Sequence, residues 1–206
     1  MNFHLPANHV ARSQAGMVLL ACLLFLTALT LLGLSASADA VLQKQLAANL
    51  QETERAKQSA LAALSWAENW LLNLEQATPV ACMPLCEDLK LHLAGSLLPH
   101  PEFENISWWQ TQGYEAGIDP LDGSRLESFT TTSASPPMWM IELVHESPAS
   151  EDGTIKAQAW YRILARGTGH TQRAVSVIES TVTRNWSPDK TEIAPETGRV
   201  AWRKLR

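Results

Sequence analysis

Few residues of this chain have types and spacings that could do chemistry. Cys82 and Cys86 flank the short segment MPL, and a gap of this size can close into a small disulfide loop in an oxidising compartment. Two free thiols or part of a metal site are the alternatives, but the nearest histidines, His92 and His100, do not complete a zinc-binding spacing. We favour a Cys82–Cys86 disulfide and expect no metal.

The other candidates for chemistry are weaker. Asp119 and Asp122 faintly suggest calcium, but the EF-hand spacing is missing and a plain turn is expected. The run Gly167-Thr168-Gly169 lacks the lysine of a phosphate loop and predicts a hairpin turn. The sequence contains no GxSxG, Walker, HExxH or CxxC motif, and its serines and histidines are scattered. We therefore expect neither an enzyme nor a cofactor, and a membrane-tethered hydrolase is the least favoured class.

The longest uninterrupted pattern is an apolar stretch from Ala15 to Ala38. No charged residue lies between Arg12 and Asp39. About 20 apolar residues in a helix match the roughly 30 Å hydrocarbon core of a bilayer. Backbone groups in lipid must be satisfied internally, which predicts a transmembrane helix over residues 17–38.

The charge distribution indicates how the span is oriented. Arg12 is the firm positive charge of the N-terminal segment, and positive flanks stay in the cytoplasm, so the C-terminal mass is expected on the other side of the membrane. The chain has 21 acidic and 16 basic residues, a net charge of −5, and no basic cluster. This composition argues against nucleic acid as a partner.

Beyond the span, the sequence predicts that the helix continues to about Gln76 as an amphipathic helix, residues 39–76. Helix-favouring residues dominate it, and no proline interrupts it. Apolar or small residues recur at three- and four-residue spacings and form a packing stripe: Leu42, Leu46, Leu50, Thr53, Ala60, Leu64, Ala67, Leu71 and Leu74. The charged residues are expected to lie mostly off that stripe: Lys44, Glu52, Glu54, Arg55 and Glu68.

Three later segments predict strands: 138–145, 157–167 and 173–186. They are rich in β-branched and aromatic residues, alternate in polarity and have short connections, which predicts an antiparallel meander with one face packed on the helix. In the second strand, four side chains share one face: Ala159, Tyr161, Ile163 and Ala165. In the third, the corresponding set is Ala174, Ser176, Ile178 and Val182. The fold class expected is α+β, with a loosely ordered polar tail at 187–206.

The large aromatic residues are expected to pack rather than to bind a ligand. Trp66 and Trp70 lie four residues apart on one helix face, and Trp108, Trp109 and Tyr114 lie in the irregular region 85–137. Large aromatics in a modest domain are usually buried or half-buried, so we expect Trp108, Trp109 and Tyr114 to pack against the helix instead of forming a binding patch.

The sequence resembles type IV pilins, and within them the PilX-type minor pilins. The resemblance rests on GMVLLACLLFLTALTLLGLSA, on LQKQLAANLQETERAKQSALAALSWAENWL, and on YRILARGTG followed by AVSVIESTVTR, about half of the chain in all. It implies a prepilin leader, residues 1–16, cut between Gly16 and Met17, with N-methylation of Met17. The implied fold is pilin-like: a long N-terminal helix, transmembrane in its first half, packed on a periplasmic head of residues 77–186.

One position departs from the pattern of that family. Most pilins carry a glutamate at the fifth mature position, which here is Ala21, and the first mature residue is Met17 instead of phenylalanine. In major pilins this glutamate is thought to pair with the N-terminal amine of a neighbouring subunit, since an unpaired charge in lipid is costly. The departure suggests a subunit near the filament tip.

The resemblance implies a structural subunit that joins a tip or priming complex initiating type IV pilus assembly. The expected partners are other minor pilins, the major pilin, prepilin peptidase, inner-membrane lipid and a tip adhesin. The expected location is the inner membrane, with the head in the periplasm, and then the pilus tip. The alternatives are a signal-anchored periplasmic sensor or ligand-binding module, and a GspK-like pseudopilin of type II secretion.

Overall fold

The computed structural model describes residues 15–73, 91–126, 133–147, 157–186 and 198–206. The chain divides into two compact units, Met1–Asn49 and Leu50–Arg206. The described part of the first unit belongs to helix α1, Ala15–Asn73, which continues into the second unit. This helix is long and apolar enough to cross a membrane, with a mean hydropathy of 2.6 over its most apolar window.

The second unit contains the remainder of α1, a short helix and a six-stranded sheet. Helix α2 is Ile106–Gln112, preceded by a 3₁₀ turn at Pro101–Phe103. The strands are β1 Leu91–Leu93, β2 Tyr114–Glu115, β3 Met138–Ser147, β4 Ala157–Thr168, β5 Val175–Trp186 and β6 Gly198–Lys204. Their order in the sheet is β1-β3-β4-β5-β6, and β2 also pairs with β3.

The predicted meander is confirmed as β3-β4-β5, with antiparallel pairs that include Ile141 opposite Ile163 and Ile163 opposite Ser180. Strand β1 runs parallel to β3, so the whole sheet is mixed. The prediction of a loosely ordered tail is wrong for residues 198–204, which form β6 antiparallel to β5. Its Val200 and Trp202, a β-branched and an aromatic residue, are compatible with a strand at the edge of a sheet.

One face of the sheet and the helix form the main hydrophobic core. Ala60, Leu64, Ala67 and Leu71 contribute from α1 and are fully buried. The predicted inward faces of β4 and β5 are confirmed by the members that lie in this core: Ala159, Tyr161, Ile163, Ala165, Ile178 and Val182. Ser176 is buried outside this core, and Ala174 precedes β5.

The opposite face of the sheet is also covered. Trp109 of α2 is fully buried and packs with Met140, Leu164 and Val177 in a second core. The sequence predicts one packed face, but apolar residues on the other face of each strand need a partner too. The segment 91–126 supplies it.

The predicted stripe is buried in one part and exposed in another. Leu64 and Leu71 have no exposed surface, whereas Leu42, Leu46 and Leu50 are 58, 63 and 69% exposed. Leu74 lies outside the described residues. Glu68 differs from its predicted place off the stripe: it is 8% exposed, between Leu64 and Leu71 on the buried side of the helix.

Candidate functional site

The apolar helix surface, residues 17–50, is a candidate interaction surface. The large apolar side chains from Met17 to Leu34 are all more than half exposed, and Leu42, Leu46 and Leu50 extend this property beyond Asp39. Lys44 is the one charge between Asp39 and Leu50. An exposed apolar surface of this length needs lipid or other helices to cover it.

The predicted processing residues lie at the start of this surface. Gly16 and Met17 belong to the first turn of α1, and Met17 is 78% exposed. Further along, the hydroxyls of Thr27 and Thr30 donate to the carbonyls of Leu24 and Thr27 at 2.9 and 2.8 Å. These two threonine hydroxyls of the predicted span therefore find acceptors within the helix, as a lipid environment requires.

Helix α1 and the sheet approach each other closely at Gly167 in β4. A Cβ atom built there would overlap the backbone nitrogen of Ala60 and the carbonyl oxygen of Ala56. Gly167 is thus part of a strand packed on the helix and not of the predicted turn, which begins at Gly169, where its N–H donates to the carbonyl of Ala174 at 3.0 Å. Only glycine allows this backbone separation.

A charged group inside the same contact ties three elements together. Glu68 of α1 accepts hydrogen bonds from the Ser180 hydroxyl of β5 at 2.6 Å and from Nε and Nη2 of Arg199 in β6 at 2.8 and 2.5 Å. The bidentate geometry is the strong form of a carboxylate–guanidinium pair. The bond to Glu68 raises the pKa of Arg199, which keeps the guanidinium charged.

A second carboxylate holds the hairpin between β4 and β5 against the helix. Oε2 of Glu52 accepts hydrogen bonds from the backbone N–H and the hydroxyl of Thr171 at 2.9 and 3.2 Å. The backbone bond from Thr171 lowers the pKa of Glu52, and Arg55 contributes in the same direction. Glutamates of α1 therefore bond to the sheet and its hairpin at two positions along the helix, Glu52 and Glu68.

The opposite face of the sheet carries a row of alternating charges across its strands. Arg162 of β4 bonds to Glu142 of β3 at 3.2 Å and to Glu179 of β5 at 2.7 Å. Glu179 also accepts from Nε of Arg203 in β6 at 3.0 Å, and Glu142 accepts from the N–H of Gly95 at 2.7 Å. Cross-strand pairs of opposite charge stabilise the order of the strands.

The aromatic residues are packed as predicted, against the helix for Tyr114 and for Trp70 of the helix itself, but packing against the helix is wrong for Trp108 and Trp109, which lie in the core on the other face of the sheet. Trp139 contacts Trp70 and Tyr114 with ring centroids 5.3 and 5.1 Å apart. Trp109 is buried, donates from its indole nitrogen to the carbonyl of Pro101 at 3.1 Å and contacts Trp108 at 6.0 Å. These rings form the interior of the head and its cover.

The remaining predicted positions offer little chemistry. Asp119 and Asp122 accept from the N–H groups of Leu121 and Ser124 and form the expected turn. Among the residues that the structure describes, no group of three His, Cys, Asp or Glu side chains could hold a metal ion. Cys82 and Cys86 fall outside the described ranges.

The comparisons with known proteins agree with this arrangement. Residues 49–184 match the family model for the type IV pilus assembly protein PilX, C-terminal region, which is more than half of the chain. The chain belongs to the PilX family. No curated protein and no solved structure gives a match. At the level of the family, this PilX protein is a minor pilin of type IV pilus assembly, a structural class.

The matched region starts near the point where the second unit begins and includes β3, β4 and most of β5. It contains Glu52, Glu68, Gly167 and Ser180 of the helix–sheet contact. The sequence analysis did not predict that these residues join the helix to the sheet. A signal was present for Glu68, which lies four residues after Leu64 and three before Leu71, the spacing of the stripe itself.

Proposed function

We propose that this PilX protein is a minor pilin of the tip or priming complex that initiates the pilus. Its leader, residues 1–16, is removed between Gly16 and Met17, and the new N-terminus is methylated. The head then lies in the periplasm while the span lies in the inner membrane, until the subunit enters the filament at its tip.

The observation that carries this proposal is an exposed apolar helix with alanine at position 21. From Met17 to Ala38 the helix has no charged side chain. Without a carboxylate at position 21, this subunit cannot neutralise the N-terminal amine of a subunit placed above it. Its own amine at Met17 can still be neutralised from below. This combination suits the last position of a filament.

The proposed contacts follow from the surface. Residues 17–50 bundle with the helices of other minor pilins and the major pilin, where apolar packing replaces lipid. The head is held on α1 by the contacts at Glu52, Gly167 and Glu68. Prepilin peptidase processes the chain, and a tip adhesin is a further proposed partner.

The test is the mature N-terminus of the protein in native membranes and in sheared pili, determined by mass spectrometry. We expect a chain beginning at N-methylated Met17, present in pili at a very low ratio to the major pilin. Replacement of Ala21 by Glu is the second arm. A tip position predicts that this change is tolerated or spreads the protein along the filament.

A chain that keeps Met1 in both fractions would contradict the proposal and favour a signal-anchored protein. Processed protein found at regular intervals along filaments before any substitution would contradict the tip position alone.

A further inference from the structure

Strand β6 forms an edge of the sheet with unusual exposure. No strand of the described residues pairs with its outer side. Six of its seven residues are exposed, including the apolar side chains of Val200 and Trp202, at 56 and 52%. An exposed apolar edge strand is a template for pairing with another chain.

The hydrogen bonds of the residues after β6 indicate which backbone groups of the strand point outward. The N–H groups of Leu205 and Arg206 both donate to the carbonyl of Val177, and the N–H of Val177 donates to the carbonyl of Arg206. Hydrogen-bonded and non-hydrogen-bonded pairs alternate along antiparallel strands. The backbone groups of Arg203 therefore bond to the backbone groups of Glu179. The N–H groups of Trp202 and Lys204 therefore point away from β5.

Charged residues often protect an edge strand from pairing, but two of the charged side chains of β6 are already bonded to carboxylates of the same fold. Arg199 and Arg203 are bonded to Glu68 and Glu179 of the same fold. These bonds fix β6 in an extended form before any partner arrives. A half-exposed tryptophan is also contrary to a protected edge.

The charge of this edge points to the kind of partner. Residues 198–206 contain four basic and no acidic side chains, in a chain that is acidic as a whole. Arg206 is close enough to Arg166 to lower the pKa of its guanidinium, after the larger effect of burial. Pairing of β6 with β6 of a second copy about Ala201 would set Arg199 against Arg203, which like charges disfavour.

We propose that the outer edge of β6 binds an extended acidic segment of another pilus subunit, which adds a strand to the sheet beside Trp202 and Lys204. Backbone hydrogen bonds would provide the affinity, and Lys204 and Arg206 would select acidic side chains. This inference rests on the proposed function, since it takes the partner from the pilus.

The experiment places the photocrosslinker p-benzoylphenylalanine at position 200 of the full-length protein in cells that assemble pili, with position 121 as an equally exposed control. Adducts are identified by mass spectrometry of membranes and sheared pili. Three variants are compared in the same background: Lys204→Pro, which removes an outward N–H, Lys204→Ala, which keeps it, and Lys204→Glu, which reverses the charge.

We expect an adduct from position 200, and not from position 121, with an acidic segment of a second pilus subunit. Its yield should fall about tenfold in Lys204→Pro and about twofold in Lys204→Ala, because the first loses a backbone bond and the second only a charge. The adduct yield of Lys204→Glu should fall below that of Lys204→Ala. Because Lys204→Glu leaves the backbone unchanged, it keeps the test valid if the proline variant is unstable.

Equal yields in Lys204→Ala and Lys204→Glu would overturn the inference, as would an adduct with a second copy, with lipid or with nucleic acid. Protein present in pili without any adduct at position 200 would also overturn it while leaving the proposed function intact. Absence of the parent protein from pili would instead contradict the proposed function.

Discussion

Arg199 and Glu68 are 131 positions apart in the chain and share two hydrogen bonds, at 2.8 and 2.5 Å. Their pairing joins β6 to the long helix across the edge of the sheet. Ser180 completes the group from β5. A carboxylate on the buried face of α1 thus selects the position of β6, which the apolar contacts alone would fix less tightly.

Replacing Arg199 by Ala should destabilise the head by about 2 kcal/mol, between the values typical of exposed and of buried pairs, because Glu68 would remain buried with one partner. The measurement is urea unfolding of the protein in detergent. Arg203→Ala is the matched control from the same strand, since Glu179 keeps Arg162 and the loss should stay below about 1 kcal/mol. Equal losses would refute a special role for the Arg199–Glu68 pair.

Gly167→Ala should destabilise the head by about 3 kcal/mol, the upper range for overpacking, because the new methyl group meets the backbone of α1. The readout is the shift in the unfolding midpoint. Adding Ala60→Gly should give no rescue, since the obstructing atoms belong to the main chain. Gly33→Ala, where nothing lies within 4 Å, is the neutral control. A rescue by Ala60→Gly would show that a side chain caused the clash.

The contact of Glu52 with Thr171 should make the hairpin sensitive to acid. The pKa of Glu52 is lowered from 4.5 in the folded protein, so its stabilising effect is present above about pH 4.5 and disappears as the pH falls through the lower folded value. The NMR shift of the Thr171 amide should report this titration. It should vanish in Glu52→Gln and persist in Glu54→Gln. A midpoint at or above 4.5 would contradict the assignment.

The two parts of the helix stripe should respond differently to the same substitution. Leu64→Ala should cost about 3 kcal/mol of head stability, because Leu64 is fully buried. Leu46→Ala, at an exposed position, should leave unfolding unchanged within about 0.5 kcal/mol but reduce the amount of protein recovered in pili. Normal recovery in pili of a double variant that carries Leu46→Ala and Leu42→Ala would mean that this part of the helix makes no filament contact.

Gly16→Leu should block removal of the leader and keep the protein out of pili. The enlarged side chain would stand at the proposed cleavage point, while the head, including Leu64 and Glu68, is unaffected. Immunoblotting of membranes and sheared pili separates the two forms by the mass of the leader. Gly33→Leu is a control within the same span and should be processed. Normal cleavage of Gly16→Leu would place the processing site elsewhere.

Several features of the fold could be predicted from the sequence because they depend on neighbours along the chain. The apolar run after Ala15 and the spacing of Leu64 and Leu71 identify the helix and its packed face. Alternation over Ala159–Ala165 identifies the inward side of β4, since successive side chains of a strand point to opposite faces. The order of these segments also carried the resemblance to pilins.

Other features were decided by tertiary structure, because they join residues that are remote in sequence. Residues 198–204 have too few apolar side chains to stand out as a strand, and they become one through the ladder to β5 and the bond from Arg199 to Glu68. The spacing of Glu68 places it on the stripe, but its partners Ser180 and Arg199 and the need for glycine at 167 are equally invisible in local patterns. Each depends on the distance between α1 and the sheet, a quantity set only when both surfaces pack together. The sequence determined which segments form the helix and the meander. Packing determined which charged residues bond the helix to the sheet.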